Sequence, residues 1–176
     1  MPDQRVGAYA EALLAVASVQ EQSSRITDEL FRIGEALRNN EGLLTALGNN
    51  RLPIANRQGV VEDLLGDKAS EVTTALVSMV VATGIGGHLP DILDAMAELA
   101  AQQRNRVLAK VRSAIELTED QKTRLADAIK SSTGTDVEIR VIVDESILGG
   151  LVTEIGDDVI DGSVRFRQAQ LRETFA

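Results

Sequence analysis

Apolar residues along positions 1–100 recur three and four apart, the spacing that puts them on one side of a helix. Val6, Ala10, Leu13 and Ala17 form a first stripe, widened by Tyr9 and Leu14. Ile26, Leu30, Ile33 and Leu37 form a second, ended by Asn39-Asn40. Leu43, Leu44 and Leu47 predict a short third helix, stopped by Gly48-Asn49-Asn50. A fourth opens near Pro53, which suits a first helical turn. It carries Val60, Val61, Leu64 and Leu65 and ends at Gly66. Val72, Leu76, Met79, Val80 and Thr83 mark a fifth helix, and Leu89, Ile92, Leu93, Met96 and Leu99 a sixth. Connections of a few residues imply antiparallel neighbours in a bundle.

The period then changes. Val107, Ala109 and Val111 alternate with Leu108, Lys110 and Arg112, as in a strand. Thr118 to Gln121 has the form of a capping box, in which the Thr hydroxyl and the Gln side chain each satisfy a backbone group of the other residue. A helix with Leu125 and Ile129 on one face follows, and Gly134 supplies its end. Val137, Ile139, Val141 and Val143 alternate with Glu138 and Arg140 as a second strand. Leu151 to Ile155 predicts a third, Gly156-Asp157 a tight turn, and Val159-Ile160 a short return. Ser163 is placed to cap a last helix with Val164, Leu171 and Phe175 on one face. The fold class expected is mainly α with a small α+β part. An N-terminal six-helix bundle, residues 1–105, precedes a C-terminal α+β domain with a short mixed sheet, residues 106–176. The second part is near the size at which a lone core becomes marginal, so it is expected to lean on a partner.

Composition narrows the function. Apolar residues make up 44 %, enough for a packed core, but aromatics only 2 %, so the core must be Leu, Ile, Val and Ala. The net charge is −9. Nucleic-acid binding draws on clustered Lys and Arg and on aromatic stacking platforms, and neither is present. With no cysteine, disulfides, thiol nucleophiles and Cys-ligated zinc are excluded. The opening MPDQRVGAYAEALL does not read as a signal or transit peptide. Val72 to Pro90 carries no formal charge, but its apolar run breaks at Gly84, so a buried helix and a loop are expected there, not a membrane span.

The stretch ESILGGLVTEIGDDVIDGSVR, 145–165, is the candidate for loop chemistry. A phosphate cradle wants a Gly-rich turn, a Lys and a hydroxyl entering a helix. Gly149-Gly150 leads instead into a strand pattern with no following Lys, and reads as a bulge or close backbone approach. Asp157, Asp158 and Asp161 with Gly162 fail the spacing of a calcium loop and fit turn chemistry. His88, the single histidine, has no base–nucleophile partner in view. No cofactor, catalytic or metal site is therefore expected. A small metal-dependent phosphohydrolase would need those three aspartates to converge on an ion. An unrelated helical protein-binding module would need only a groove. The fifth helix supports a groove, being almost uncharged all round, and the Ala-rich first helix (YAEALLAVA) permits close approach.

Three stretches together carry a resemblance. YAEALLAVA, GIGGHLPDILDAMAEL and VDESILGGLVTEIGDDVIDGSVRFRQAQL resemble, in order and spacing, the delta subunit of F-type ATP synthases, whose mitochondrial counterpart is the oligomycin-sensitivity-conferring protein. The last stretch is the most specific. The resemblance implies a non-catalytic stator that joins the catalytic head to the peripheral stalk so that the head does not turn with the rotor. It implies one copy per complex, peripheral on the cytoplasmic face of a bacterial inner membrane, meeting the membrane only through the complex. It implies that a groove between the first and fifth helices takes the N-terminal helix of an alpha subunit, with Tyr9, Leu13, Leu14, Val72, Leu76, Met79 and Val80 as candidates. The C-terminal domain would meet the stalk b subunits, with Arg165 the candidate contact, while Gly149, Gly150, Asp161, Gly162 and Ser163 set the fold. The Met1 start suggests a free chain, not one fused to a stalk subunit. Two departures stand out: extra glycine in 84–90, where the family has a more polar turn, and Phe166 with Ala169-Gln170, where more charge is common.

Overall fold

A computed structural model describes residues 2–147, 149–156 and 158–162. The elements run α1 (Pro2–Ser18), α2 (Ser23–Arg38), α3 (Glu41–Gly48), α4 (Ile54–Leu65), α5 (Glu71–Ala82), a 3-10 turn (Gly86–His88), α6 (Leu89–Gln103), β1 (Val107–Ser113), α7 (Glu119–Thr133), β2 (Val137–Val143), β3 (Leu151–Ile155) and β4 (Asp158–Asp161). The chain forms two compact units, 1–100 and 101–176, with the division falling in the last turn of α6. The backbone there folds back on Ala101, whose carbonyl accepts from the Arg104 and Arg106 amides. The helix predicted from Ser163 lies outside the described residues.

In the first unit the stripes close on one core. Ala10, Leu13, Leu14 and Ala17 of α1 meet Ile26, Leu30 and Leu37 of α2, Val77 and Val80 of α5, and Ile92, Leu93 and Met96 of α6. Local chemistry starts the helices. Asn40 accepts from the Leu43 amide at the head of α3, and Ser70 from the Thr73 amide at the head of α5, so each side chain satisfies a donor the first turn leaves over.

Two polar anchors fix helices at long range. Glu29 on α2 accepts from the Ser70 amide at 2.9 Å and the Thr73 hydroxyl at 2.6 Å, so an acid sits at the N-terminus of α5, where the helix dipole favours it. Arg57 of α4, only 4 % exposed, points at the other end of two helices. Its Nη1 donates to the Val81 carbonyl at 3.0 Å, to Asn50 Oδ1 at 3.1 Å and more weakly to the Leu47 carbonyl at 3.4 Å. The Asn50 side-chain Nδ2 in turn donates to the Gly84 carbonyl at 2.9 Å. The glycines of 84–87 serve this junction: a Cβ on Gly86 would stand 2.6 Å from the Leu47 carbonyl oxygen.

In the second unit the sheet order is β2-β1-β3-β4. β1 and β2 are parallel, Val107 opposite Val137, so a crossover is required, and α7 provides it. β3 runs antiparallel to β1, and β4 antiparallel to β3. The capping box at Thr118 and Gln121 is formed, and α7 ends at Gly134 with φ 74°. Ile129 packs on Ala109 and Val137, with Leu125 and Ile139 beside them. Arg104 grips Glu138 through both carboxylate oxygens at 2.8 Å, and Arg140 reaches the same carboxylate at 2.7 Å.

Candidate partner-binding face

The seven groove candidates divide sharply once placed. Leu13, Leu14, Leu76 and Val80 are buried in the core, at most 6 % exposed. They sit on the inner stripes of α1 and α5, where six-helix packing needs them. Tyr9 and Val72 are half-buried, packed on the edge of the same core. Met79 is 42 % exposed.

Other residues supply the open surface of these helices. On α1, Ala8, Ala12, Ala15 and Val16 are exposed at positions that share one face, and Val19 follows beyond its end. On α5, Ala75 and Met79 are exposed one turn apart. Both helices therefore show water a strip of small or flexible apolar side chains, bordered by Arg5 and Glu11 on α1 and by Glu71 on α5. A strip of Ala lets a neighbouring backbone come close, and an unbranched Met adapts its shape to what covers it. The sequence signal for the strip is the missing polar face: a surface helix normally carries charge opposite its apolar stripe.

The described loop residues of the second unit lie in turns and at strand ends. Gly150 has φ 83°, the left-handed region that side chains disfavour, and it turns the chain into β3. Gly149-Gly150 therefore precedes a strand and no helix N-terminus. Upstream, Asp144 accepts from the Ser146 amide at 2.9 Å. The bonds from the Ser146 side chain and amide hold its carboxyl below the usual range, opposed by burial and helped by Arg112. The Gly162 amide donates to the Leu151 carbonyl at 2.8 Å and closes the β3–β4 hairpin, in which Asp161 pairs with Val152. Ser163, Arg165 and Asp157 lie outside the described residues. Among the described residues no three His, Cys, Asp or Glu side chains group as metal ligands. His88 is exposed, its Nδ1 3.7 Å from Asp91 Oδ2. Among the described residues no helix is long and apolar enough to cross a membrane.

The fold is thus a helical bundle with an apolar strip on two of its helices, followed by a small α+β unit. Residues 6–175 match the family described as ATP synthase delta (OSCP) subunit. The chain belongs to that family. It is 38 % identical over 165 residues to the ATP synthase subunit delta of Acidothermus cellulolyticus, covering 94 % of this chain and 60 % of that one. The subunit delta of Nocardia farcinica is 40 % identical over 169 residues, with 94 % and 61 % covered. The ATP synthase subunit b-delta of a Mycobacterium species (strain KMS) is 36 % identical over 158 residues, with 90 % and 36 % covered. The chain thus spans about 60 % of the length of the delta relatives it matches. The same fold recurs in a chain of the mitochondrial ATP synthase hexamer of Toxoplasma gondii, with a TM-score of 0.57 at 18 % identity over 97 % of this chain and 96 % of that one.

Proposed function

We propose that the chain is a non-catalytic stator subunit of an F-type ATP synthase. Its helical bundle takes the N-terminal helix of an alpha subunit on the exposed strips of α1 and α5. Its α+β unit meets the stalk b subunits, and the complex sits peripherally on the cytoplasmic face of the membrane. The observation that carries this reading is the apolar surface of α1 and α5 in a chain of this family. Ala8, Ala12, Ala15 and Val16 on α1 and Ala75 and Met79 on α5 are its open residues, with half-buried Tyr9 and Val72 beside them in sequence.

The energy required is within reach of such a face. A stator must stay attached through many cycles, and nanomolar binding corresponds to about 12 kcal/mol. Each Leu, Ile or Met a partner helix buries contributes about 1.5–3 kcal/mol before the entropy of association is subtracted. Several anchors along a few turns of helix meet that demand without any reactive group. Family membership weighs against the metal-dependent phosphohydrolase.

The test is calorimetric titration of the chain with a synthetic peptide of the alpha-subunit N-terminus from the same organism. Saturable binding is expected, and Ala12→Glu, which leaves the core untouched, should weaken it at least about tenfold by burying an unpaired charge. Absence of binding at micromolar concentrations removes the reading of this face.

A further inference from the structure

The chain has no cysteine and three methionines. Met96 is sealed in the core at 0 % exposure, whereas Met79 is 42 % exposed; Met1 is outside the described residues. A two-electron oxidant arriving from water therefore finds no thiol to intercept it, and Met79 is the accessible sulfur among the described residues. Its position gives that reactivity a consequence. Ala75, one turn away, is exposed, Val72 is half-buried, and neither has a polar side-chain atom to pair with a new acceptor.

We propose that Met79 is a modification site for peroxides, and that its sulfoxide switches off the α5 strip as a docking surface. This rests on the reading of that strip as the place where a partner helix binds. The thioether sulfur attacks one peroxide oxygen; the O–O bond breaks and an S–O bond forms. The second oxygen leaves as water after taking up the proton carried by the first. Sulfur loses two electrons and the peroxide gains them. The product side chain is polar and accepts hydrogen bonds without donating any.

In the free chain the new oxygen faces water, so the bundle keeps its core. Under a partner helix it would be desolvated beside Ala75 and Val72, with the nearby Thr83 hydroxyl already committed to the Val80 carbonyl at 2.7 Å. This penalises the bound state alone. The effect therefore falls on affinity and leaves folding alone, and it is reversible through enzymes that reduce each sulfoxide epimer.

The experiment treats the full chain with hydrogen peroxide, maps oxygen uptake by peptide mass, and titrates both forms with the alpha-subunit N-terminal peptide. Met79 should be oxidised well before Met96. The oxidised chain should bind about tenfold or more weakly, with its helical circular dichroism unchanged. Treatment with both methionine sulfoxide reductases should restore binding. In Met79→Leu, peroxide should leave whatever affinity that variant has unaltered. Equal affinity before and after oxidation of Met79, or oxidation of Met96 first, overturns the proposal. If the untreated chain already fails to bind the peptide, the docking reading falls and the switch with it, while the mass map separately decides the selectivity of oxidation.

Discussion

Arg57 offers the sharpest test of how the helical unit is held together. Its guanidinium is buried among apolar side chains, and the partners it finds are neutral: the Leu47 and Val81 carbonyls and the Asn50 side chain. Leu47 and Val81 lie in the last turns of α3 and α5, where the helix dipoles present partial negative charge, and the Val81 carbonyl also accepts from the Gly84 amide at 3.1 Å. The cation thus stands between two negative helix ends. Against this, burying a guanidinium costs several kcal/mol, and its Nε finds no partner among the described residues.

The magnitudes decide which effect wins. Hydrogen bonds to a charged group contribute about 1.5–3 kcal/mol each, and the 3.4 Å contact counts for less. Two good bonds and the two helix ends exceed the residual desolvation by about 1–3 kcal/mol. Arg57→Met, which keeps the stem and removes charge and donors, should therefore destabilise by about 1–3 kcal/mol. Arg57→Ala adds a cavity and should reach about 3–5 kcal/mol. Urea unfolding followed by far-ultraviolet circular dichroism reads both, and hydrogen exchange at the Gly84 amide, which donates to the Val81 carbonyl, reports the local loosening. If Arg57→Met is as stable as the parent chain or more so, the buried cation is a net cost and the clasp is refuted.

Gly86→Ala should destabilise by about 2 kcal/mol or more, because its Cβ would stand 2.6 Å from a backbone oxygen that the α3 end holds in place; a melting curve decides it. Acid stability should depend on Glu29. Burial raises its carboxyl, but the bonds from Thr73, the Ser70 amide, Arg25 and the Ser70 side chain outweigh it and bring the pKa from 4.5 to about 2. A lowered folded-state pKa stabilises above the unfolded value and is lost on acidification. Stability should therefore fall between about pH 4.5 and 2, by about 1–2 kcal/mol after allowing for screening by water, and Glu29→Gln should flatten that limb. In the second unit, Thr118→Ala should cost about 1 kcal/mol by opening the capping box, measured by urea unfolding.

What could be read ahead of the structure was local. The alternation of Val137 to Val143, the capping box at Thr118 and the helical stripes each sit within one element, and each formed where its pattern lies. The parallel pairing of β1 with β2 and the order β2-β1-β3-β4 depend on contacts between distant segments, which no short-range period encodes. The same limit explains the split among the groove candidates. On α1 and α5 the inward and outward sides are both apolar, so Leu13 and Leu76 could not be told from Ala12 and Ala75 by residue type. The glycines of 84–90 read as a departure from the family pattern because their neighbours, Leu47 at Gly86, Asn50 at Gly84 and Gly48 at Gly87, are far away in the chain. Arg57 gave no sign either, since the partners it finds are backbone carbonyls and an amide, not an acid.

An exposed apolar strip is ordinarily a route to self-association. Here two features act against it. A net charge of −9 repels a second copy through the average field of each molecule, whereas a partner segment of opposite or little charge meets no such barrier. The strip is also built chiefly of Ala, with Val16 and Met79 as its larger groups. Two such shallow surfaces bury little area against each other, but a helix bringing Leu- or Ile-sized anchors to the same surface buries much more. The face therefore discriminates by what the partner supplies: the large side chains must come from the other molecule.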